Sequence, residues 1–269
     1  MDSCTPGIRI CSAQISSIWE NPEKTLEKAA AFVKHAAYSG ASLICFPEQF
    51  ATGWDPGSDN YVDDIDGIVI TTLRNLAVDN QIGILGSFRQ RNDPLPKNTA
   101  VAIGNDGRIL TSYSKIHLFS PGNEQNTYFP GTNTGIFAVG NLMCGIAICY
   151  DLRFPELFRF YRKKGVQAML IPAAWPSSRI QHWELFIAAR AAENQMYIIG
   201  VNTTGKTPVG TYAGSSITAD PRGIIISRAN EAEQLLFSDV DPSLVERVRH
   251  AFPVEIDRKD ELFLEGFRS

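Results

Sequence analysis

The stretch NLMCGIAICYDLRFPE, residues 141–156, decides the fold. From Leu142 to Ile148 every residue is apolar or glycine, which predicts a strand buried on both faces of a sheet. The run ends at Cys149, and Pro155 follows at a position typical of the first turn of a helix. The pattern therefore places one thiol at the carboxyl end of a buried strand, near the N-terminus of a helix.

Such a position favours a reactive thiol. Unpaired backbone N–H groups and the helix dipole both stabilise a thiolate, so we expect them to lower the pKa of Cys149. The alternative is that Cys149 is a small buried hydrophobic residue, which is the common role of a free cysteine. The polar residues directly after it, Tyr150, Asp151 and Arg153, favour the nucleophile.

Composition limits the possible functions. The chain has 269 residues, 44% of them hydrophobic, and a formal net charge of −4, so we expect a single domain over residues 1–269 with a large core. The longest basic run, residues 162–164, is too short for a nucleic-acid surface. No apolar stretch approaches the roughly 18 residues of a membrane span, and the N-terminus lacks a signal-like pattern. We expect a cytoplasmic protein that binds neither nucleic acid nor membranes.

The cysteines are few for this length and odd in number, which predicts free thiols in a reducing compartment rather than a disulfide framework. They are Cys4, Cys11, Cys45, Cys144 and Cys149. No CxxC or HExxH spacing occurs, so the sequence predicts no metal site.

Strands and helices alternate in the first third of the chain. A strand over Ile8–Gln14, a helix that ends at Tyr38 after the cap Asn21, and a strand over Ala41–Phe46 predict a parallel unit with a crossover helix. The remaining apolar runs predict about twice the strands that one parallel sheet needs. Two sheets packed face to face, each covered by helices, accommodate them.

Ionisable residues follow the predicted strands at equivalent places. Glu48, Lys115 and Cys149 each stand at the carboxyl end of a strand-like run, where open α/β sheets bind ligands. A cysteine nucleophile needs a base and a positive group for the developing oxyanion, and Glu48 and Lys115 supply these groups. A lone Glu or Lys after a strand is usually a surface residue, so only the shared position makes these residues informative.

Three segments carry a family resemblance. FPEQFATGW (46–54), YSKIHLF (113–119) and CGIAICYDLRFPELFR (144–159) resemble the signature blocks of the nitrilase superfamily of carbon–nitrogen hydrolases. The resemblance implies an α/β fold, a four-layer α/β/β/α sandwich of two mixed sheets, in subunits that form homodimers or higher homo-oligomers. It also implies Glu48, Lys115 and Cys149 as the catalytic set, without a cofactor.

The resemblance further implies amide hydrolysis through a thioester on Cys149. Glu48 would move the proton, and Lys115 would hold the oxyanion together with the backbone N–H of Tyr150. A second, substrate-positioning glutamate of many family members would fall on Glu124. The alternative for Glu124 is a carboxylate that satisfies backbone amides of its own loop.

The segment CYDLRFPE resembles the amidase branches of the family, including omega-amidases and other Nit-type enzymes. The segment AWPSSRIQHW and the Glu124 loop look most like bacterial omega-amidase homologues that hydrolyse 2-oxoglutaramate. The carboxylate of such a substrate needs a cationic anchor, for which Arg153 and Arg179 are candidates. The alternative for either arginine is a structural salt bridge to a neighbouring acid. Those acids are Asp151, Glu156 and Glu184. Aromatic residues could form the pocket wall or belong to the core, namely Tyr150, Trp175, Trp54 and Phe129.

Other activities stay open. Within the same family they are deaminated-glutathione amidase, N-carbamoyl amino acid hydrolase and broad aliphatic amidase. A papain-like pair of a cysteine with His117 or His182 is a competing catalytic arrangement, although His117 is more simply a brace for the loop after Lys115. A non-enzymatic module on this fold is the most distant alternative.

Overall fold

The apolar runs of the sequence form two mixed sheets of six strands each. The computed structural model describes residues 7–262, so Cys4 lies outside the described residues. In chain order the strands are β1 (Ile8–Gln14), β2 (Leu43–Cys45), β3 (Gly83–Gln90), β4 (Lys97–Ile103), β5 (Ile109–Ser114), β6 (Gly135–Val139), β7 (Leu142–Ile146), β8 (Ala168–Ala173), β9 (Tyr197–Asn202), β10 (Thr204–Thr207), β11 (Gly210–Ala213), β12 (Ile217–Ala219), β13 (Ile225–Arg228) and β14 (Gln234–Val240).

Two of the helices within residues 7–262 begin at a side-chain cap. The helices are α1 (Pro22–Tyr38), α2 (Ile68–Asn80), α3 (Glu124–Thr127), α4 (Pro155–Lys163), α5 (Ile180–Asn194) and α6 (Pro242–Ala251). The Asn21 side chain accepts a hydrogen bond from the backbone N–H of Lys24 at 3.1 Å, which satisfies one of the unpaired donors at the start of α1. Asp241 caps α6 in the same way through the N–H of Ser243. The predicted cap of α1 is confirmed.

Crossover helices set the topology of both sheets. The first sheet has the order β14-β1-β2-β3-β4-β5, in which β1, β2 and β3 are parallel and are connected through α1 and α2, as predicted. The second has the order β13-β12-β9-β8-β7-β6, with β7, β8 and β9 parallel through α4 and α5. The remaining neighbours are antiparallel, which explains why the sequence contains both continuous apolar strands and hairpins.

Alternate residues of β2 show how the layers pack. Leu43 and Cys45 belong to the core that the two sheets share, whereas Ile44 belongs to the core between the first sheet and helices α1 and α2. Helices α4 and α5 cover the outer face of the second sheet through residues such as Phe158 and Trp183. The predicted α/β/β/α sandwich is confirmed.

Strand ends and one hairpin differ from the sequence prediction. The strand predicted over Ala41–Phe46 is only Leu43–Cys45, although the Phe46 N–H still donates to the Leu85 carbonyl of β3 at 2.9 Å. The hairpin β10–β11 was not predicted, since its residues are mostly glycine, threonine and lysine. It forms a separate two-stranded sheet beside the second large sheet. No helix within residues 7–262 is long and apolar enough to cross a membrane.

A glycine of β9 allows helix α5 to approach the second sheet. A Cβ atom on Gly200 would lie 2.4 Å from the Trp183 ring and 2.8 Å from Ile187. We expect Gly200→Ala to lower the free energy of unfolding by about 1–3 kcal/mol, because the fully buried ring has no free space to move into. Urea denaturation measures this change.

The matched control is Gly7→Ala, whose Cβ would meet the Val240 carbonyl at an ordinary 3.4 Å. We expect this surface substitution to change the free energy of unfolding by no more than about 0.5 kcal/mol. Equal unfolding midpoints for the two variants would contradict the role given to Gly200.

Candidate active site

Side chains from separate segments meet in one buried cluster. The Lys115 ammonium lies 2.8 Å from Oε1 of Glu48 and 2.8 Å from Oε2 of Glu124. All three side chains are almost fully buried, with exposures of 2% or less. The thiol of Cys149 contacts the Glu48 carboxylate and the backbone N–H of Ala174. The structure therefore brings Glu48, Lys115, Glu124 and Cys149 together.

Three of these residues, and Ala174, come just after a strand, whereas Glu124 begins α3. Glu48 follows β2, Lys115 follows β5 directly, Cys149 follows β7, and Ala174 follows β8. The backbone of Cys149 has a φ of 46°, in the left-handed region that residues other than glycine rarely adopt. Such strain concentrates at functional sites, where the surrounding structure holds it in place.

Asp151 holds the turn that carries the thiol. Its Oδ2 accepts hydrogen bonds from the Tyr113 hydroxyl at 2.7 Å and from the Ile148 N–H at 2.9 Å. Its Oδ1 accepts from the backbone N–H of His117 at 2.9 Å and lies 2.8 Å from the ring Nδ1 of the same residue. The carboxylate thus ties the segment after Lys115 to the segment around the nucleophile.

His117 braces the loop after Lys115, whereas His182 is exposed. His117 Nδ1 is engaged by Asp151, and the His117 ring stacks on Phe154 with centroids 3.7 Å apart. His182 Nδ1 lies 3.4 Å from the Arg153 guanidinium. Neither histidine lines the cavity beside Cys149. The geometry therefore favours Glu48 over a histidine as the proton acceptor for this thiol.

The expected lowering of the thiol pKa is wrong. Burial, the largest effect, and the negative charge of Glu48 raise the pKa of Cys149 well above its usual value, and the charge of Lys115 opposes them only in part. Helix α4 begins at Pro155, so a short 3₁₀ turn separates the thiol from the helix N-terminus. The resting thiol is accordingly protonated at neutral pH and needs a base.

The carboxylates on either side of Lys115 differ. Burial is the largest effect on both. For Glu48 it prevails over the charge of Lys115, and the pKa is raised. For Glu124 the charge of Lys115 and several hydrogen bonds prevail, and the pKa is lowered. The charges of Glu124 and Glu48 outweigh the burial of Lys115, whose pKa stands well above its usual value. Groups with pKa values separated in this way suit different proton-transfer roles.

Glu124 makes the loop hydrogen bond considered for it, and its role in positioning substrate stays a prediction. It accepts a loop backbone N–H, that of Phe119, at 2.7 Å, and it also pairs with Lys115. The indole N–H of Trp54 donates to Oε1 at 2.8 Å. Glu124 lies behind Lys115 and does not itself line the cavity.

A cavity of about 210 Å³ opens in front of the thiol. Its polar lining includes Lys115, Cys149, Arg153 and Arg179. Its remaining lining is mostly aromatic or small. These residues are Trp54, Phe119, Pro121, Gly122, Tyr150, Ala174, Trp175, Pro176, Val209, Gly210 and Tyr212. The candidate substrate-binding residues Tyr150, Arg153, Trp175 and Arg179 therefore all border the cavity.

The arginines of the cavity stack on aromatic rings. The guanidinium of Arg153 lies 4.9 Å from the ring centroid of Trp175, and that of Arg179 lies 5.6 Å from that of Phe119. Within residues 7–262 neither arginine forms a salt bridge, so the structural alternative considered for them is wrong. Two of the acids considered as their partners pair with other residues: Asp151 lies beside His117, and Glu184 forms a salt bridge with Arg228.

Phe129 is not part of the cavity wall. It is 41% exposed, and the Lys97 ammonium lies 5.6 Å from its ring centroid. Its neighbour Tyr128 points inward instead, with its hydroxyl 3.0 Å from the Gln49 side-chain nitrogen. Because side chains alternate along an extended segment, burial of Tyr128 places Phe129 at the surface.

Sequence reasoning missed Asn98 and Tyr212. The Asn98 amide donates to Oε1 of Glu48 at 2.7 Å. A polar residue near the start of a strand that is apolar from Ala100 to Ile103 was the available signal. Tyr212 belongs to the unpredicted hairpin β10–β11, and burial raises the pKa of its hydroxyl. Among residues 7–262, no group of three or more His, Cys, Asp or Glu side chains is arranged to hold a metal ion.

Comparison with known proteins identifies the family of this chain. Residues 9–250 match the carbon–nitrogen hydrolase family. The 2-oxoglutaramate amidase of Bacillus subtilis (strain 168) is 30% identical over 256 residues, covering 94% of this chain and 98% of that protein. Omega-amidase NIT2 of Mus musculus is 30% identical over 270 residues, covering 95% of this chain and 96% of that protein.

Solved structures show the same fold. XC1258 of Xanthomonas campestris, a CN-hydrolase superfamily protein with an arsenic adduct in its active site, superposes with a TM-score of 0.89 at 28% identity, covering 94% of this chain and 97% of that one. Nit3 of Saccharomyces cerevisiae, a nitrilase superfamily member, superposes with a TM-score of 0.84 at 27% identity, covering 92% of this chain and 95% of that one. The chain therefore belongs to the carbon–nitrogen hydrolase family.

Proposed function

We propose that this protein hydrolyses the amide bond of a small linear amide that carries a carboxylate at its other end, with 2-oxoglutaramate as the leading candidate. One observation carries the proposal. The same cavity contains the Cys149 thiol, backed by Lys115 and Glu48, and the guanidinium groups of Arg153 and Arg179. The thiol with Lys115 and Glu48 is suited to attack on an amide, and the guanidinium groups are suited to binding an anion.

In the proposed mechanism the Cys149 sulfur attacks the amide carbon while Glu48 takes the thiol proton. Lys115 and the backbone N–H of Tyr150 stabilise the tetrahedral oxyanion. The C–N bond breaks as Glu48 returns the proton to the leaving nitrogen, which departs as ammonia and leaves a thioester. Glu48 then takes a proton from water, the resulting hydroxide attacks the thioester, and the proton returns to the sulfur.

The electrostatics of the cluster support these roles. The raised pKa of Glu48 makes its carboxylate a stronger base than an ordinary glutamate, which helps it to take the thiol proton. The lowered pKa of Glu124 keeps this carboxylate negative, and its charge helps to keep Lys115 protonated. Glu48 therefore moves the proton, and Glu124 holds the ammonium in place.

The cavity favours a short substrate. Drug-sized ligands occupy cavities of roughly 300–1,000 Å³, and this one measures about 210 Å³. A small omega-amide fits this size better than a glutathione derivative does. The names of the B. subtilis and mouse relatives point to the same substrate class. Deaminated-glutathione amidase, N-carbamoyl amino acid hydrolase and broad aliphatic amidase are the alternatives.

We also propose a cytoplasmic homodimer. Cys11, Cys45 and Cys144 are free and buried, which suits a reducing compartment. Leu185 on α5 and Phe160 on α4 are 61% and 42% exposed, and these helices flank the nucleophile turn. Sedimentation at micromolar concentration tests the dimer, and a monomer under these conditions would contradict it.

A substrate panel tests the proposed activity. Ammonia release is measured with 2-oxoglutaramate, butyramide, an N-carbamoyl amino acid, deaminated glutathione and a nitrile. We expect the highest kcat/KM with 2-oxoglutaramate, and we expect Cys149→Ala to fold but to release no ammonia. Preference for an uncharged amide, turnover by Cys149→Ala, or the absence of an acyl adduct on Cys149 by mass spectrometry would refute the proposal.

Removing the charge of Arg179 tests the carboxylate anchor. We expect Arg179→Met to raise KM for 2-oxoglutaramate by roughly 10- to 100-fold, because a hydrogen bond between charged groups contributes about 1.5–3 kcal/mol. The KM for butyramide should stay within about twofold, since this substrate has no carboxylate to lose.

Arg222→Met is the matched control for this prediction. Arg222 pairs with Asp220 away from the cavity, so its loss should change neither KM. If Arg179→Met affected both substrates equally, the anchor would have to be Arg153 or neither residue.

A separate prediction concerns the effect of the Glu48 charge on the Cys149 thiol. Since that charge raises the pKa of Cys149, Glu48→Gln should lower it and increase the thiolate fraction at neutral pH. We expect faster alkylation of Cys149 by iodoacetamide at pH 7, together with a loss of hydrolysis of about 10²- to 10⁴-fold, because no base remains.

Mass spectrometry of the labelled protein locates the adduct, and Cys149→Ala identifies background labelling. Slower alkylation of the Glu48→Gln variant across the pH range would contradict the electrostatic argument. Retained hydrolysis would contradict the assignment of Glu48 as the base.

A further inference from the structure

Asn98 contacts several members of the catalytic cluster, yet the proposed mechanism gives it no role. It is the second residue of β4 and is 1% exposed. Its side-chain nitrogen lies 2.7 Å from Oε1 of Glu48 and 3.4 Å from Oε1 of Glu124. Its main-chain oxygen accepts the backbone N–H of Lys115 at 2.8 Å. One residue therefore touches both carboxylates and the segment that carries the ammonium.

The orientation of the Asn98 amide follows from electrostatics. Its Oδ1 is buried and has no hydrogen-bond partner within residues 7–262. A flipped amide would turn this oxygen toward the carboxylates of Glu48 and Glu124, where like partial charges repel. The NH₂ group has two hydrogens, so it can serve both carboxylates without adding charge. An aspartate of the same shape would repel both, and a serine would offer a single hydrogen.

This contact distinguishes the two oxygens of Glu48. Oε1 accepts from Asn98 and from Lys115. Oε2 accepts from the backbone N–H of Ala174 at 3.0 Å, and the Cys149 thiol contacts the same carboxylate and the same N–H. The lone pairs of Oε1 are thus occupied by donors that do not react, while Oε2 has capacity left on the side of the thiol.

We propose that Asn98 is a positioning residue that occupies Oε1 of Glu48 and thereby makes Oε2 the oxygen that exchanges the proton with Cys149. The proposal rests on the proposed function, because it assumes that Glu48 is the base. Asn98 does not line the cavity and acts through Glu48, so we expect its loss to change kcat more than KM.

Loss of the Asn98 donor should also change how Glu48 titrates. The ionisable groups that act on Glu48 or that Glu48 affects are Lys115, Glu124, Cys149 and the Tyr212 hydroxyl. Donation from an N–H group stabilises the ionised carboxylate, so removing it raises the pKa of Glu48. A base must be ionised to act. The acidic limb of the pH profile of kcat/KM should therefore move to higher pH.

The experiment compares Asn98→Ala, Asn98→Ser and Asn98→Asp with the unmodified protein. We expect an upward shift of about one pH unit in the acidic limb for Asn98→Ala, a smaller shift for Asn98→Ser, and a loss of activity of at least about 100-fold for Asn98→Asp at neutral pH. KM for the best substrate should change by less than about threefold for Asn98→Ala.

Asn194→Ala is the matched control. Asn194 is also 1% exposed, donates to the Arg190 carbonyl at 3.0 Å, and has an Oδ1 without a partner within residues 7–262. It lies at the end of α5 and outside the cavity. We expect this variant to lose stability without a shift in the pH profile. If Asn98→Ala and Asn98→Ser behaved like Asn194→Ala, Asn98 would be merely structural and the proposal would be overturned.

Alkylation of Cys149 separates this proposal from the proposed function. The rate with iodoacetamide, measured against pH, responds to Glu48 without any substrate. If no amide of the panel were hydrolysed, the proposed function would fail, yet a shifted alkylation profile in Asn98→Ala would still support the contact with Glu48. An unshifted profile in both Asn98→Ala and Asn98→Ser would overturn the positioning role even in an active amidase.

Discussion

The ion cluster around Lys115 is the constraint on which the rest of the site depends. A single ammonium group is shared between Glu48 and Glu124 at almost complete burial. Removing charged groups from water costs several kcal/mol each, and the cost is recovered only when every partner is in place. The loops that follow β2 and β5 and helix α3 must therefore all close on one point. This requirement explains why so many backbone N–H groups and amides surround the carboxylates.

The sandwich makes this closure possible. Both sheets present strand ends to the same region, so Glu48 from one sheet and Cys149 from the other can touch. Asp151 then links the segment around Cys149 to Tyr113 of β5 and to His117, so the sheets are joined by hydrogen bonds as well as by apolar packing. The architecture fixes distances between residues that are remote in sequence, which local structure alone could not do.

The sequence predicted the parts of the protein that depend on apolar periodicity and strand ends. The bounds of β1 agree with the predicted run from Ile8 to Gln14, because burial and hydrogen bonding coincide along this strand. The thiol pKa was predicted in the wrong direction, since the sequence shows a nearby helix but shows neither the burial of Cys149 nor the charge of Glu48 beside it. The contacts of Asn98 were missed for a similar reason. They depend on the close approach of three distant loops, for which no periodicity exists.

The hairpin β10–β11 is separate from the two large sheets. It supplies Gly210 and Tyr212 to the cavity, yet it pairs with neither large sheet. A change in its length or side chains would alter the shape of the cavity without disturbing a single hydrogen bond of the ladders that carry Glu48, Lys115 and Cys149. Related enzymes could therefore acquire new substrates by varying this one appendage while their reactive machinery stays the same.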